Sequence, residues 1–165
     1  MKSFLRGFIF FAIIVSVPNN SRCQDVQLMK IEDLMSVISN NQDSLLIINF
    51  WATWCKPCVK ELPCFYETHR QFATNGIRVL LVSLDFKRQL ESVLKPFLIK
   101  QGKGPKTWLL DEPDYDAWIN KVDPSWTGAI PATLFIKNSG GVKLFHEGEF
   151  TCSTLNDTIQ QILNK

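Results

Sequence analysis

The sequence has no concentrated charge and no motif for a nucleotide or a haem. Its net charge is +2, and no run of Lys and Arg alternates with aromatic residues, so nucleic-acid binding is not expected. It contains neither a glycine-rich phosphate loop nor a C-x-x-C-H haem attachment motif, so no cofactor is predicted. There is no internal repeat and no shift of composition. The 165 residues, 45% of them hydrophobic, therefore predict one globular domain.

The sequence also lacks an apolar run of the ~20 residues that a membrane-spanning helix needs. A shorter run, Phe8–Val17, follows two basic residues and ends at the polar segment Pro18–Ser21. This pattern predicts a secretory signal over residues 1–23. Its cleavage would leave a mature domain over 24–165. The alternatives are a lipidated Cys23, an uncleaved anchor and an apolar core helix. Export would place the cleaved, soluble domain in the periplasm or cell envelope.

The hydrophobic pattern predicts an α/β fold. Leu45–Phe50 and Ile77–Leu84 are continuous apolar runs, which are typical of strands buried on both faces. Ala132–Lys137 and Val142–His146 flank a Gly-rich turn and predict a hairpin. The expected order is βαβαβ, a helical insertion that includes a strand-like Thr107–Leu110, and then ββα. This order predicts a mixed central sheet with helices on both faces, three parallel strands first and the hairpin at an antiparallel edge.

The feature with the clearest chemistry is a pair of cysteines, Cys55 and Cys58, between the strand that ends at Phe50 and a predicted helix. The helix dipole and the unpaired N–H groups of the first turn favour thiolate, the nucleophile of disulfide exchange. A zinc site or a purely structural disulfide is the alternative. Zinc needs two further ligands, and the remaining Cys and His residues form no second pair.

Three segments carry a family resemblance: Asn49–Cys58, Glu61–Pro63 and Ile130–Thr133. With them the chain, from about Leu45 to its C-terminus, resembles the exported TlpA/ResA-like thiol-disulfide oxidoreductases of the thioredoxin superfamily. The resemblance implies a thioredoxin fold, disulfide bonds of proteins as substrates, and a membrane thiol-disulfide protein as electron donor. We also expect a monomer.

The resemblance assigns the catalytic roles. Cys55 is the expected attacking cysteine, and Cys58 is the resolving cysteine that releases the reduced product. Glu61 would exchange a proton with Cys58 or restrain thiolate formation by charge repulsion; the alternative is a solvated glutamate on the helix surface. Pro131 is the expected cis-proline facing the dithiol, with Ile130 offering backbone hydrogen bonds to substrate. The alternative is an ordinary trans-proline.

Residues around the dithiol are candidates for contact with substrate. Trp54, Lys56 and Pro57 are expected on the substrate-facing surface, although Trp54 could equally serve packing alone. Trp126 could line the same groove. In cytosolic thioredoxin a buried aspartate deprotonates the second cysteine, and the matching position here is Asn49, a change shared by the TlpA/ResA-like group. An amide is no base, so a proton relay would need Glu61 or water.

Two further cysteines, Cys64 and Cys152, lie outside the dithiol. Cys64 is nine residues after Cys55, on the opposite side of the helix, so it cannot join the active pair. Cys152 opens the last predicted helix. The two residues could form a disulfide or remain two buried thiols, since the sequence does not give the distance between their Cα atoms.

Three functions remain open at this point. The first is a reductant of disulfides in exported proteins, with cytochrome c maturation as a role suggested by analogy. The second is a disulfide oxidase or isomerase, because the direction depends on thiolate stabilisation in the site. The third is a non-catalytic peptide-binding module, which the intact cysteine pair disfavours. A peroxidase is not expected, because peroxiredoxins use one peroxidatic cysteine in a different sequence frame.

Overall fold

The structure is a computed structural model that describes residues 26–72, 74–137 and 142–164. The predicted signal segment and the predicted hairpin turn, 138–141, lie outside the described residues. The strands are β1 (Gln27–Met29), β2 (Leu45–Trp51), β3 (Ile77–Ser83), β4 (Lys106–Leu110), β5 (Ala132–Lys137) and β6 (Val142–Glu147). The α-helices are α1 (Ile31–Ser39), α2 (Lys56–Phe72), α3 (Lys95–Gln101), α4 (Ile119–Val122) and α5 (Cys152–Leu163). Within these ranges, no helix combines the length and the apolar character needed to cross a membrane.

The strands form one mixed sheet in the order β1-β4-β3-β2-β5-β6. The pairs β1–β4, β4–β3 and β3–β2 are parallel, whereas β5 pairs antiparallel with β2 and β6 antiparallel with β5. The parallel strands and the antiparallel hairpin edge are therefore confirmed. The predicted order did not foresee that the strand in the insertion joins the sheet. That strand, β4, lies between β1 and β3.

Helices cover both faces of the sheet, as predicted. All seven residues of β2 are buried, and their side chains alternate between two apolar clusters. One cluster contains Leu62 and Phe65 of α2 and Leu155 of α5. The other contains Leu34 of α1 and Val122 of α4. The continuous apolar run of β2 thus follows from burial on both faces.

The insertion between β3 and β4 is helical but irregular. A short 3-10 helix (Lys87–Gln89) leads into a π-helical turn (Leu90–Leu94) and then into α3. The apolar residues of this insertion serve packing, because Leu94 and Leu98 are buried in the same cluster as Leu62 and Phe65 of α2. Between β4 and β5 the chain forms a 3-10 turn, Tyr115–Ala117, and then α4.

The carboxyl ends of β2 and β3 lie side by side and support the loop that carries the dithiol. The backbone N–H of Leu84, just after β3, donates to the carbonyl of Trp51 at 2.8 Å. After Trp51, at the end of β2, the chain turns and enters α2 beside the cysteine pair. Pro63 lies inside α2.

Candidate active site

Cys55 and Cys58 are joined by a disulfide at the N-terminus of α2, with their Cα atoms 5.3 Å apart. Cys55 is the residue before the helix, and its carbonyl accepts from the N–H of Val59 at 3.0 Å. Its Sγ accepts from the N–H of Cys58 at 3.3 Å. Cys55 thus occupies the position of a helix N-cap, where a side chain takes an otherwise unpaired N–H. This donor and the helix dipole both stabilise negative charge on the Cys55 sulfur.

The two sulfurs differ in access. Cys58 is fully buried, whereas Cys55 is 5% exposed. Around Cys55 the three predicted substrate-facing residues are exposed, namely Trp54, Lys56 and Pro57. Trp54 is 56% exposed, so it does not serve packing alone. Cys55 is therefore the more accessible of the two cysteines.

The segment Ile130–Pro131 faces the dithiol, and its peptide bond is cis, which confirms the prediction. The carbonyl oxygen of Ile130 lies 3.7 Å from the Sγ of Cys55. The carbonyl of Pro131 accepts from the N–H of Gly148 at 2.8 Å. The prediction that Trp126 lines this groove is wrong. Trp126 is only 3% exposed because it packs on Phe50 in the core, with ring centroids 4.6 Å apart.

Glu61 is a buried carboxyl rather than a solvated one, since only 1% of the residue is exposed. It is three residues after Cys58 on α2, a spacing that places both on one face of the helix. Its Oε1 accepts from the Asn49 amide at 2.7 Å, and its Oε2 accepts from the N–H of Phe150 at 2.7 Å. Burial raises the pKa of Glu61 to about 7, the negative charge of Glu149 adds to the rise, and the two hydrogen bonds oppose it.

Asn49 of β2 is a buried amide, and the structure gives it two partners. Its Nδ2 donates both to Glu61 and to the hydroxyl of Thr133 on β5, the latter at 3.1 Å. Both Asn49 and Thr133 are fully buried. The amide therefore orients the Glu61 carboxyl.

Asp85 is a residue of the site that the sequence reasoning missed. It follows β3 and is 3% exposed. Its carboxylate accepts from the N–H of Thr53 at 3.1 Å, from the Thr53 hydroxyl, and from the Ser83 hydroxyl at 2.7 Å. These bonds hold the loop two residues before Cys55 against the sheet. A signal was present, because an acidic residue directly after a doubly buried strand lies at the edge where functional loops meet.

The second cysteine pair is also a disulfide. Cys64 of α2 and Cys152 at the start of α5 are bonded; their Cα atoms are 4.9 Å apart, and the two residues are 88 positions apart in sequence. Cys64 is 7% exposed, whereas Cys152 is exposed. Of the two alternatives left open by the sequence, the bridge is the one found.

The fold and the site define a dithiol oxidoreductase: a thioredoxin-like sheet carries a cysteine pair at a helix N-terminus, opposite a cis-proline. The model of the AhpC/TSA family matches residues 20–145, and the chain belongs to that family. It is 25% identical over 165 residues to the thiol-disulfide oxidoreductase ResA of Oceanobacillus iheyensis, covering 93% of this chain and 81% of that protein. The ResA of Bacillus anthracis is 32% identical over 118 residues, 71% of this chain and 62% of its own length.

Solved structures agree on the fold. A thioredoxin-related protein from Neisseria meningitidis serogroup B superposes with a TM-score of 0.64 at 20% identity, covering 78% of this chain and 91% of its own. This likeness confirms the thioredoxin fold, and the ResA relatives confirm the expected class, a thiol-disulfide oxidoreductase.

Proposed function

We propose that this protein is an exported reductant of disulfide bonds in other proteins. The observation that carries the proposal is the placement of Cys55: its sulfur caps α2, lies 3.7 Å from the Ile130 carbonyl, and has Cys58 bonded behind it. A sulfur in this position is accessible from one side and stabilised as thiolate from the other. Thiolate character and access together are what a nucleophile of disulfide exchange requires.

The reaction has two exchange steps. The Cys55 thiolate attacks one sulfur of a substrate disulfide, which forms a mixed disulfide and releases the other substrate sulfur as a thiolate. Cys58, as thiolate, then attacks the Cys55 sulfur and releases the second substrate sulfur. Two electrons have passed to the substrate, and the Cys55–Cys58 disulfide remains. A membrane thiol-disulfide protein would return two electrons and two protons to this pair.

Glu61 is proposed to take the proton of Cys58 before the second step. Its position one turn beyond Cys58 and its pKa of about 7 support this role, because such a carboxyl can both accept and release a proton near neutral pH. Asn49 orients the carboxyl but cannot itself act as the base.

The substrate would bind as an extended segment beside the cis-proline. The backbone of Ile130 would pair with the substrate main chain, and Pro131 would keep that backbone facing Cys55. Trp54, Lys56 and Pro57 would contact substrate residues on the other side of the sulfur. Main-chain pairing is tolerant of sequence, which suits an enzyme that acts on several proteins.

The basic and apolar start of the sequence supports a signal peptide over 1–23 and a periplasmic or envelope location of the domain 24–165. The domain is proposed to act as a monomer. An oxidising compartment is where a dedicated reductant is needed. Among exported substrates, apocytochrome c is the proposed one, because its two cysteines must be reduced before haem is attached.

The test is to trap the mixed disulfide in cells. In the Cys58→Ser variant the second step is blocked, so the substrate should stay bonded to Cys55 and be released by dithiothreitol. The Cys55→Ser/Cys58→Ser variant is the matched control and should trap nothing. Recovery of apocytochromes supports the proposed substrate, whereas a broad set of folding intermediates would favour an oxidase or isomerase. A Cys58→Ser variant that traps no protein at all would overturn the proposal.

A further inference from the structure

The second disulfide lies next to the buried carboxyl of the active site. On α2, Cys58, Glu61 and Cys64 follow one another at intervals of three residues, so each lies about one turn after the last. Cys64 is bonded to Cys152, the first residue of α5. Two residues before Cys152 is Phe150, whose N–H donates to Glu61 at 2.7 Å. The covalent tie and the hydrogen bond therefore connect the same two segments one helical turn apart.

We propose that the Cys64–Cys152 disulfide is a positioning element of the active site, which holds the segment before α5 on α2 so that Phe150 both hydrogen-bonds Glu61 and shields it from water. The proposal rests on the role proposed above for Glu61. Neither cysteine touches substrate, so neither is assigned a step in the exchange reaction.

Other contacts of this segment are weaker or local. Thr151 caps α5 by accepting from the N–H of Thr154 at 3.1 Å, a bond that stays within the segment itself. Glu149 pairs with Lys60 of α2 at 2.6 Å, but the Lys60 side chain is 75% exposed, and such pairs contribute little. The Phe150 ring packs on Phe135 with centroids 5.8 Å apart. Among these contacts, the Cys64–Cys152 disulfide is the one covalent bond between α2 and the start of α5.

Within the described part of the chain, few groups act on Glu61. Asn49 from β2 is neutral, and so is Thr133 behind it on β5. The charged Glu149 comes from the segment before α5, and on α2 the neighbour is the bonded Cys58. From β6, the ring of His146 stacks on Phe150 at 4.3 Å. Burial is the largest influence on the pKa of the Glu61 carboxyl, so whatever keeps the segment before α5 closed over the carboxyl also keeps this pKa raised.

The experiment removes the bridge and titrates Glu61 directly. In Cys64→Ala/Cys152→Ser the buried cysteine becomes a small apolar residue and the exposed one a polar residue. The Glu61 carboxyl is followed by carbon NMR from pH 4 to 9, with Cys55–Cys58 kept oxidised so that no thiol titrates. We expect the midpoint to fall by about one pH unit or more from its value in the intact protein, because water reaches the carboxyl.

A control separates this effect from a general loss of stability. Ile162→Ala removes a core side chain of the same helix, α5, but leaves the bridge and Phe150 in place. It should leave the midpoint within a few tenths of a pH unit while lowering the unfolding temperature. If Cys64→Ala/Cys152→Ser does not fold in buffer, both proteins are titrated in sucrose, which favours the compact state. An unchanged midpoint without the bridge would overturn the proposal, as would an equal shift in Ile162→Ala.

The catalytic role of Glu61 is tested separately by Glu61→Gln. The reduction potential of Cys55–Cys58 is measured against pH in the intact protein and in this variant. If the two pH profiles coincide, the proton transfer proposed for Glu61 fails, while the NMR titration still decides whether the bridge positions the carboxyl. The reduction potential of Cys64→Ala/Cys152→Ser is measured against pH in the same way. If Glu61→Gln changes the pH profile of the potential, and the bridge variant shifts that profile in the same direction as its Glu61 midpoint, both the proton transfer and the positioning role are supported.

Discussion

The two disulfides of this protein are the same bond in opposite surroundings. Cys55–Cys58 joins residues three apart at the start of one helix, beside exposed Trp54 and the cis-proline segment. Cys64–Cys152 joins residues 88 apart and ties α2 to α5. The first bond has a stabilised thiolate as its product and an open face for a partner. The second bond differs at α2, because Cys64 lies inside this helix and not at its N-cap, while its partner Cys152 is the exposed first residue of α5.

The difference shows how one helix serves two purposes. In the chain-entropy description, closing a loop of a few residues stabilises a fold by roughly 2 kcal/mol, and closing one of about 90 residues by roughly 4–5 kcal/mol. A bond that opens in every catalytic cycle should cost the fold little when it is open. The Cys64–Cys152 bond takes no part in the exchange reaction, so it can contribute more to the free energy of unfolding. Four predictions follow from this contrast between Cys55–Cys58 and Cys64–Cys152.

The largest expected effect is on activity. Cys55→Ser removes the nucleophile, so reduction of insulin with dithiothreitol should fall to the rate without protein. Cys64→Ala/Cys152→Ser keeps the nucleophile and should retain more than half of the activity at pH 7. Equal losses in the two variants would show that the contrast between the bonds is wrong.

The next effect is on stability and has the opposite order. Cys64→Ala/Cys152→Ser should lower the free energy of unfolding by about 4 kcal/mol, measured with guanidinium chloride without reductant. Cys55→Ser/Cys58→Ser should lower it by about 2 kcal/mol or less. If the short loop proves the more stabilising of the two, the structural role assigned to the long one fails.

The third prediction concerns Glu61, which lies between the two bonds on α2. Its pKa is raised from 4.5 to about 7, so the folded protein keeps a proton that the unfolded chain has already released. Stability should therefore fall as the pH rises from about 4.5 to 7 and stay low above that. Glu61→Gln should remove this fall in stability, measured as the free energy of guanidinium chloride unfolding at pH 5 and at pH 8 in the oxidised protein. Glu67→Gln, on the same helix but not buried, should leave the pH dependence as it is.

The smallest effect is expected at Asp85, which holds the loop of Cys55 without a covalent bond. Asp85→Ala leaves the N–H and hydroxyl of Thr53 and the hydroxyl of Ser83 without their acceptor. This should cost about 2 kcal/mol of stability and reduce activity several-fold, less than the loss in Cys55→Ser. Asp85→Asn keeps one acceptor oxygen and should cost less. A full loss of activity in Asp85→Asn would point to a chemical role for this carboxyl.

Much of the fold was predictable because it depends on local patterns. The doubly buried strands β2 and β3 are continuous apolar runs in the sequence. The segments that form β5 and β6 flank a Gly-rich sequence that is typical of a turn. The place of β4 was not predictable in the same way. Its position between β1 and β3 is set by pairing with strands that are distant in sequence. The types of its five residues do not indicate which strands those are.

The candidate site was predictable where side-chain type and spacing carry the chemistry, as for the cysteine pair. Partners supplied by the backbone were not predictable. The N–H of Phe150 holds Glu61, yet any residue except proline would supply that N–H. The Cys64–Cys152 bridge needed a Cα–Cα distance, which only the packing of α5 on α2 provides. Trp126 was misplaced for a related reason, since an aromatic side chain fits a groove and a core equally well.

The exposure of Trp54 gives the protein an optical signal of its own redox state. The other four tryptophans are at most 8% exposed, whereas Trp54 is 56% exposed and adjoins Cys55 in the chain. A disulfide close to an indole ring quenches its fluorescence, and an exposed indole emits at longer wavelength than a buried one. Reduction of Cys55–Cys58 should therefore brighten the red edge of the emission, and Trp54→Phe should remove that change. Electron transfer to and from this protein can then be timed without any label.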